Sequence, residues 1–440
     1  MDSAGLEGAL FRRTLVRALP RATRGEGSYV VADDGRRWLD ASGGAAVANL
    51  GHGGPFAAEI ADAVAASIRS CGYLNGTQFT HEPAEELARE LTLRAPGDLD
   101  FAYFLASGSE AIEAAVKLAR QLHVEGGEPS RWKVISRVPS YHGNTLAALS
   151  LSAREHYRTL YGPLLTAHPR VPAPDPYRDP GGERAAAHAV EEEIVRQGPE
   201  TVAAVLAEPI GGSSSGAVAP SAEYWRIVAG ACARHGVLLI ADEVMCGMGR
   251  TGRWYACEHY DFVPDILVLG KGLNAGALAL SALLVRRPHV ARLAAGSGAF
   301  LHAQTYSHHP AHCAAGLATV RILARERLIE RAAGLESGLR ARLETLLKYP
   351  VVGDVRGRGA LFAIEFVADR ESRNPFERRE RFAERFAERA FAHGLIVWPS
   401  AGTVRGEKGD VAMLAPPFTI AGDEMDEMVA KLVATLEEMS

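Results

Sequence analysis

The chain has 440 residues, of which 47% are hydrophobic and 23% are charged, and its formal net charge is −5. This length supports a substantial buried core and two or three domains. The slight negative charge gives no attraction to nucleic acid or to an anionic membrane, and the longest apolar stretch, 276–285, is too short to span a bilayer. Five cysteines without a CxxC pair indicate thiols in a reducing compartment. Because the N-terminus also lacks the apolar core of a signal peptide, we expect a soluble cytoplasmic protein.

The first predicted elements are an N-terminal arm with a short helix and a β-hairpin at 27–42, where β-type residues flank an Asp-Asp-Gly turn. From about residue 55, helical patterns alternate with short apolar runs. Parallel strands covered on both faces have such near-continuous apolar runs, so the alternation predicts a mostly parallel sheet between helices. The predicted strands are 101–107, 132–137, 201–208, 237–244 and 265–270, and the Pro-rich stretch 171–183 is predicted to be a surface loop.

The pattern changes after about residue 315. Long helices over 317–347 precede a stretch at 351–367 that alternates like an antiparallel strand, and a closing helix ends the chain. We therefore predict a large α/β domain over 56–314. A smaller α+β domain would combine residues 1–55 with residues 315–440.

A lysine and an aspartate follow two of the apolar runs. Lys271 stands where the run 266–269 meets a glycine-lined turn, and Asp242 ends the run at 238–242. An amine at the mouth of a buried strand loses hydration, its pKa falls, and it becomes a nucleophile towards aldehydes. An aspartate beside it could keep a ring nitrogen protonated, which together suggests a site for pyridoxal phosphate (PLP). Alone, each residue is more often a solvated loop lysine or a turn aspartate.

A possible phosphate site lies where a strand turns tightly into a helix. Ser107, Gly108 and Ser109 stand at the predicted start of that helix, where free backbone N–H groups bind anions. Ser109 could instead serve only to cap the helix. Further along the chain, Tyr141 and His142 follow a strand and could stack on a planar ring, and Thr305 could donate to phosphate from a polar loop.

These segments together resemble the class III (omega) aminotransferases, a PLP-dependent family of fold type I. The resemblance runs from WLDASGG near the N-terminus to LAPPFTI near the C-terminus. Between them stand, in the family's order, SGSEAIEAAVKLAR, YHGNT, AEPIGGSSSG, LLIADEVMCGMGRTG, LGKGLNAG, QTYSHHP and VRGRGALFAIEF. The fold it implies is a large, mostly parallel α/β/α domain with a smaller α+β domain.

The resemblance also implies roles for individual residues. Lys271 would bind the cofactor aldehyde and shuttle a proton, and Asp242 would pair with the pyridine nitrogen. Val244 would lie against the ring face opposite Tyr141 or His142. Gly108 and Ser109 would hold the phosphate, with Thr305 added from the partner subunit of a homodimer. Glu208 would lie near the cofactor. The active assembly would be a dimer with shared active sites, or a tetramer made of two dimers.

Departures from the family pattern narrow the range of expected substrates. Ser213 stands where family members that use 2-oxoglutarate often carry Glu, which favours pyruvate as the acceptor. Arg405 precedes Gly409-Asp410 much as a mobile, carboxylate-binding arginine does in the amine:pyruvate branch, although one residue further away. Ala45 and Ala46 fall where that branch tends to place a bulky aromatic residue, so we expect a wider pocket. The substrates implied are a small-molecule amine or ω-amino acid and a keto acid.

Other functions remain open. A racemase, an aminomutase, a decarboxylating transaminase or a phospholyase would use the same scaffold and keep Lys271 and Asp242. A non-enzymatic PLP-binding regulator is disfavoured because the chain has no basic extension for DNA. No metal site is expected, since His308 and His312 have helical spacing but no HExxH motif accompanies them.

Overall fold

The computed structural model describes residues 9–439, which form fifteen β-strands and thirteen α-helices. The strands are β1 (Ala22–Glu26), β2 (Tyr29–Ala32), β3 (Arg37–Asp40), β4 (Phe101–Leu105), β5 (Lys133–Val138), β6 (Arg170–Pro172), β7 (Val202–Ala207), β8 (Leu238–Asp242), β9 (Ile266–Leu269), β10 (Ser281–Val285), β11 (Val352–Arg358), β12 (Leu361–Phe366), β13 (Leu395–Ile396), β14 (Trp398–Val404) and β15 (Lys408–Leu414). The helices are α1 (Gly43–Ala46), α2 (Gly54–Ser70), α3 (Glu82–Thr92), α4 (Gly108–Glu125), α5 (Leu146–Leu151), α6 (Glu155–Tyr161), α7 (Glu183–Gln197), α8 (Ala222–His235), α9 (Arg287–Ala295), α10 (Pro310–Arg325), α11 (Leu328–Glu344), α12 (Phe382–Ala392) and α13 (Gly422–Met439).

A seven-stranded sheet forms the centre of the fold, in the order β4-β10-β9-β8-β7-β5-β6. The strands from β9 to β6 pair in parallel. Strand β10 is antiparallel to both of its neighbours, β4 and β9. Because β4 and β9 are both antiparallel to β10, β4 points the same way as the parallel strands. The carboxyl ends of β4, β5, β7, β8 and β9 therefore share one edge of the sheet.

Apolar side chains cover both faces of this sheet. Along β9, Ile266 and Val268 pack with the buried face of α4, whereas Leu267 and Leu269 pack into the larger core that includes Trp225 of α8. Successive side chains of a strand point to opposite faces, so an uninterrupted apolar run fits a strand buried on both sides. The mostly parallel, doubly covered sheet predicted from the sequence is confirmed.

Two smaller sheets complete the fold, and one of them joins the two ends of the chain. The N-terminal hairpin of β2 and β3 forms as predicted, and β3 pairs in parallel with β13 from the C-terminal part. The second small sheet is antiparallel, in the order β11-β12-β15-β14. The single strand predicted at 351–367 was wrong, because the chain turns at Gly359, whose φ of 60° suits glycine, and folds into the hairpin β11–β12. The domain boundaries near residues 55 and 315 stay a prediction.

Some elements differ from the sequence expectations. Strand β10 comes from the apolar stretch 276–285, which was considered only for its length, and β6 is a short strand overlapping the start of the predicted loop 171–183. Residues 9–21 contain no helix, and the rest of the predicted arm lies outside the described residues. Among the described helices, none combines the length and apolarity that crossing a bilayer requires.

Replacing Leu267 by alanine tests how much the packing of β9 in the central sheet contributes to the stability of the protein. Leu267 is fully buried, and we expect Leu267→Ala to lower the free energy of unfolding by about 2–5 kcal/mol, because a cavity is left in a close-packed core. Urea denaturation at fixed protein concentration measures the loss. The matched control is Leu93→Ala, at a leucine that is 77% exposed, with an expected change below about 0.5 kcal/mol. Equal losses in the two variants would contradict this description of the core.

Candidate active site

Most of the predicted site residues converge at the carboxyl edge of the central sheet. Tyr141 and His142 follow β5, Glu208 follows β7, Asp242 ends β8 and Lys271 follows β9. The carboxyl ends of parallel strands form the usual ligand site of open α/β sheets. Residues far apart in the chain therefore meet at this edge because the strands that precede them are neighbours.

A cavity of about 220 Å³ lies among these residues. Its lining combines the start of α4, the loops after the strands, and Lys271. The lining residues are Gly108, Ser109, Tyr141, His142, Gly143, Glu208, Ile210, Gly212, Ser213, Asp242, Val244, Met245, Cys246 and Lys271. A larger cleft of about 810 Å³ lies between the 172–182 segment and the C-terminal strands, but neither Lys271 nor Asp242 lines it. The smaller cavity is therefore the candidate active site.

Lys271 begins a short 3-10 helix directly after β9 and has a φ of 45°. A positive φ is strained for a lysine, and such strain is concentrated at functional sites. Its Nζ donates a hydrogen bond to the Ala45 carbonyl at 3.0 Å and lies 5.5 Å from the centroid of the Trp398 ring. Burial lowers the pKa of Lys271 to about 8, although the nearby carboxylates of Asp242 and Glu208 oppose that shift. The amine is thus partly neutral near physiological pH.

Asp242 is held by two hydrogen bonds at the end of β8. Its Oδ2 lies 2.7 Å from Nδ1 of His142, a ring that is fully buried. Its Oδ1 accepts a hydrogen bond from the backbone N–H of Val244 at 3.1 Å. These contacts fix the direction of the carboxylate. The His142 ring therefore contacts Asp242, while Tyr141 lines the cavity nearby.

The start of α4 contributes backbone N–H groups to the same cavity. Ser107 caps the helix, because its hydroxyl accepts a hydrogen bond from the N–H of Glu110. The hydroxyl of Ser109 instead accepts a hydrogen bond from the N–H of Asn144 at 2.9 Å. The capping residue is thus Ser107 rather than Ser109, and only Gly108 and Ser109 line the cavity. A side chain at Gly108 would press against Val244, since an added Cβ would lie 3.0 Å from Val244 Cγ1.

Glu208 follows β7 and is almost completely buried. Its Oε1 accepts a hydrogen bond from the N–H of Gly212 at 2.9 Å, and its Oε2 accepts one from the hydroxyl of Ser214 at 2.8 Å. The carboxylate is therefore satisfied by its own loop. These hydrogen bonds hold the loop after β7 in place at the cavity wall.

Besides Ser107, two predicted site residues do not line the cavity. Thr305 is exposed in the loop before α10, and its contribution to a partner subunit's site stays a prediction. Arg405 is exposed in the turn between β14 and β15, where it has a φ of 54° and lines the larger cleft. Its role in binding a carboxylate also stays a prediction.

Three residues that the sequence did not point to lie beside the cavity: Trp398, Arg154 and Ser400. Trp398 faces the Lys271 amine. The guanidinium of Arg154 donates hydrogen bonds to the hydroxyls of Ser213 and Ser400. Neither the REHYR stretch nor the WPS stretch matches a motif, so only the fold could reveal them.

The lining fits the chemistry of PLP. A planar aldehyde needs an amine to hold it, and Lys271 offers one with a lowered pKa. A ring nitrogen needs a fixed carboxylate, which Asp242 supplies, and a flat ring needs walls such as Tyr141 and Val244. A phosphate needs N–H donors, which the first turn of α4 provides.

The reactivity of Lys271 with a small aldehyde should depend on pH around 8. In protein freed of bound aldehydes, we expect the rate of reductive alkylation at Lys271 to rise with pH and to be half-maximal near pH 8, because burial lowers the pKa of this amine to about 8 and only the neutral amine attacks carbonyls. Peptide mass mapping with formaldehyde and borohydride gives the rate. A Lys271→Arg variant is the control that identifies the peptide. Half-maximal labelling near the ordinary lysine pKa would contradict the burial argument.

The comparison with known proteins agrees with the geometry. The sequence model of the class III aminotransferase family matches residues 13–436. The chain is 37% identical to the uncharacterised aminotransferase YodT of Bacillus subtilis, over 98% of both chains. It is 32% identical to a putrescine–pyruvate aminotransferase of Pseudomonas aeruginosa, over 92% of this chain and 88% of that one. Its structure matches an (S)-enantioselective omega-transaminase from Thermomicrobium roseum with a TM-score of 0.90, at 32% identity, over 99% and 97% of the two chains. The resemblance and the PLP-dependent transferase fold of type I are confirmed, and the chain belongs to the class III aminotransferases.

Proposed function

We propose that this aminotransferase uses PLP to move an amino group from an amine or ω-amino acid to a keto acid, with pyruvate favoured over 2-oxoglutarate. The observation that carries the proposal is the Lys271 amine, whose pKa is lowered by burial, sharing one cavity with the fixed carboxylate of Asp242. When bound, PLP supplies an aldehyde for the amino group and a protonated ring that accepts electrons from the substrate α-carbon.

Each residue then has a defined task in the proposal. Lys271 holds the cofactor between turnovers and moves a proton at the substrate α-carbon, a general acid–base step. Asp242, oriented by His142, keeps a proton on the ring nitrogen. Tyr141 and Val244 bound the two faces of the ring.

The remaining contacts position the cofactor and exclude water. Gly108 and Ser109 direct N–H groups of the α4 start at the phosphate. Glu208, held by Gly212 and Ser214, closes the loop after β7 over the cavity. We propose that Thr305 of a second copy adds a hydroxyl to the phosphate, so that the active unit is a homodimer with shared sites.

The acceptor proposal rests on Ser213. A serine here leaves the cavity without the glutamate that members of the family using 2-oxoglutarate often carry. The similarity to a putrescine–pyruvate aminotransferase supports pyruvate as well. The order of events is ping-pong: the amine binds, its carbonyl product leaves, and the keto acid then takes the amino group through the same Lys271 proton transfers.

The absorbance of the purified protein tests the transaminase proposal directly. Adding candidate amines one at a time should bleach the cofactor's visible band, and pyruvate should restore it faster than 2-oxoglutarate. In Lys271→Ala, turnover should fall by at least about 10³-fold, because the proton-transfer group is lost. Full activity of Lys271→Ala would remove this residue from the mechanism.

Product analysis separates transamination from the reactions that share its scaffold. Consumption of keto acid in a one-to-one ratio with amine distinguishes a transaminase from a racemase or an aminomutase. Release of carbon dioxide would identify a decarboxylating transaminase, and release of phosphate would identify a phospholyase.

Asp242→Asn tests the contribution of the carboxylate to the ring. We expect the variant to keep the cofactor but to transfer the α-proton about 10²-fold or more slowly, because an amide does not stabilise a protonated ring nitrogen as a carboxylate does. The measurement is the single-turnover rate with an amine deuterated at the α-carbon. Glu258→Gln, at a carboxylate that does not line the cavity, serves as a matched carboxylate-to-amide control. An unchanged rate in Asp242→Asn would count against the proposed role.

A further inference from the structure

Arg154 is a cation beside the active-site cavity. Among the described residues, no carboxylate lies within ion-pair distance of its guanidinium, and its buried Nε has no hydrogen-bond partner. Its Nη2 donates to the hydroxyls of Ser213 at 2.8 Å and of Ser400 at 3.1 Å, and the group lies 5.1 Å from the centroid of the Tyr141 ring. Both hydroxyls are neutral, so these two contacts orient the positive charge without neutralising it.

The nearest carboxylate is already occupied. Glu208 is close enough to stabilise the charged form of Arg154, but its oxygens accept hydrogen bonds from Gly212 and Ser214. Burial lowers the pKa of Arg154, with Tyr157, Glu208 and Tyr141 opposing the shift. Keeping an unpaired charge away from water is costly, and a buried arginine is normally paired with an anion.

The backbone places Arg154 firmly at this position. The chain segment before α6 returns beside the loop that follows β5, where Ser140 and Ala153 form an isolated β-bridge. The N–H of Glu155 donates to the carbonyl of Gly406, in the turn between β14 and β15. Arg154 is thus fixed on both sides by backbone contacts.

The contacts of Arg154 also show which side of the cavity it occupies. Trp398 and Ser400 are two residues apart in β14, so their side chains point to the same face. Trp398 faces the Lys271 amine and Ser400 holds Arg154. The guanidinium therefore lies on the side of Lys271 and Ser213, and none of its contacts belongs to α4, where the phosphate donors are.

We propose that Arg154 binds the carboxylate of the substrate and so determines specificity for acidic substrates. This inference rests on the proposed transaminase function. A guanidinium offers parallel N–H donors that match a carboxylate, and the serine hydroxyls hold its plane in place. Ser213 permits this, because a glutamate at that position would neutralise the guanidinium that Ser213 contacts.

Two carboxylates could use this residue, and both have the same chemistry. One is the carboxylate next to the reacting carbon of a keto acid, and the other is the distal carboxylate of an ω-amino acid. Matched substrate pairs separate them: pyruvate with acetone, and 4-aminobutyrate with butylamine. Each pair differs chiefly in the presence of the carboxylate.

The test compares Arg154→Gln and Arg154→Lys with the native protein. In Arg154→Gln we expect KM for at least one carboxylate substrate to rise about 10- to 100-fold, the effect of losing a charged hydrogen bond. The kcat/KM values for acetone and butylamine should change by less than about threefold. Arg154→Lys should restore part of the loss. A rise with pyruvate assigns the carboxylate beside the reacting carbon, and a rise with 4-aminobutyrate assigns the distal one.

A binding measurement tests the proposal independently of turnover. Calorimetry with butyrate, which has no group to react, should show binding to the native holoenzyme that is weakened in Arg154→Gln. The control is Arg226→Gln, an exposed arginine on α8, which should leave butyrate binding and all four KM values unchanged. Unchanged butyrate binding and KM values in Arg154→Gln, or equal losses with charged and uncharged substrates, would overturn the proposal. A native enzyme that binds butyrate through Arg154 but transfers no amino group would instead count against the proposed function.

Discussion

The opposition between burial and charge at Lys271 governs the chemistry available to this protein. Burial disfavours the ammonium form, whereas the carboxylates of Asp242 and Glu208 favour it, and burial has the larger effect. The carboxylates are already hydrogen-bonded, Asp242 to His142 and Glu208 to Ser214. These hydrogen bonds hold both carboxylates at fixed positions, and the Lys271 amine donates to the Ala45 carbonyl rather than to either of them. An amine in this state can react with carbonyl compounds near neutral pH, which a solvated lysine does far less readily.

Much of the fold and the core of the site could be predicted from the sequence, for one physical reason. Strands buried on both faces leave uninterrupted apolar runs, and the residues that follow them in parallel strands must share an edge. Lys271, Asp242, Glu208 and Tyr141 all follow such runs. Strand β10 does not fit this rule, because it is antiparallel to both neighbours and its run merges with the loop before it.

The parts that the sequence could not predict come from outside that edge. Trp398 and Ser400 lie on β14 of another sheet, and Arg154 precedes a seven-residue helix. Their importance arises from contacts across long stretches of chain, which no local pattern records. Local patterns also could not decide which serine caps α4, since Ser107 and Ser109 are both suitable and only the observed hydrogen bonds distinguish them.

The pairing of β3 with β13 has a consequence for how the protein is made. Leu39 of β3 lies opposite Leu395 of β13, so this sheet pairs the two ends of the chain. The contacts of Lys271 with Ala45 and Trp398 likewise join the middle of the chain to segments near both ends. During synthesis from the N-terminus, the central strands can associate before the final strands leave the ribosome. The environment of the reactive amine is then completed only by contacts of high sequence separation, which form slowly. A nascent chain can thus hold a folded sheet and still lack a working catalytic centre until nearly its last segment has been translated.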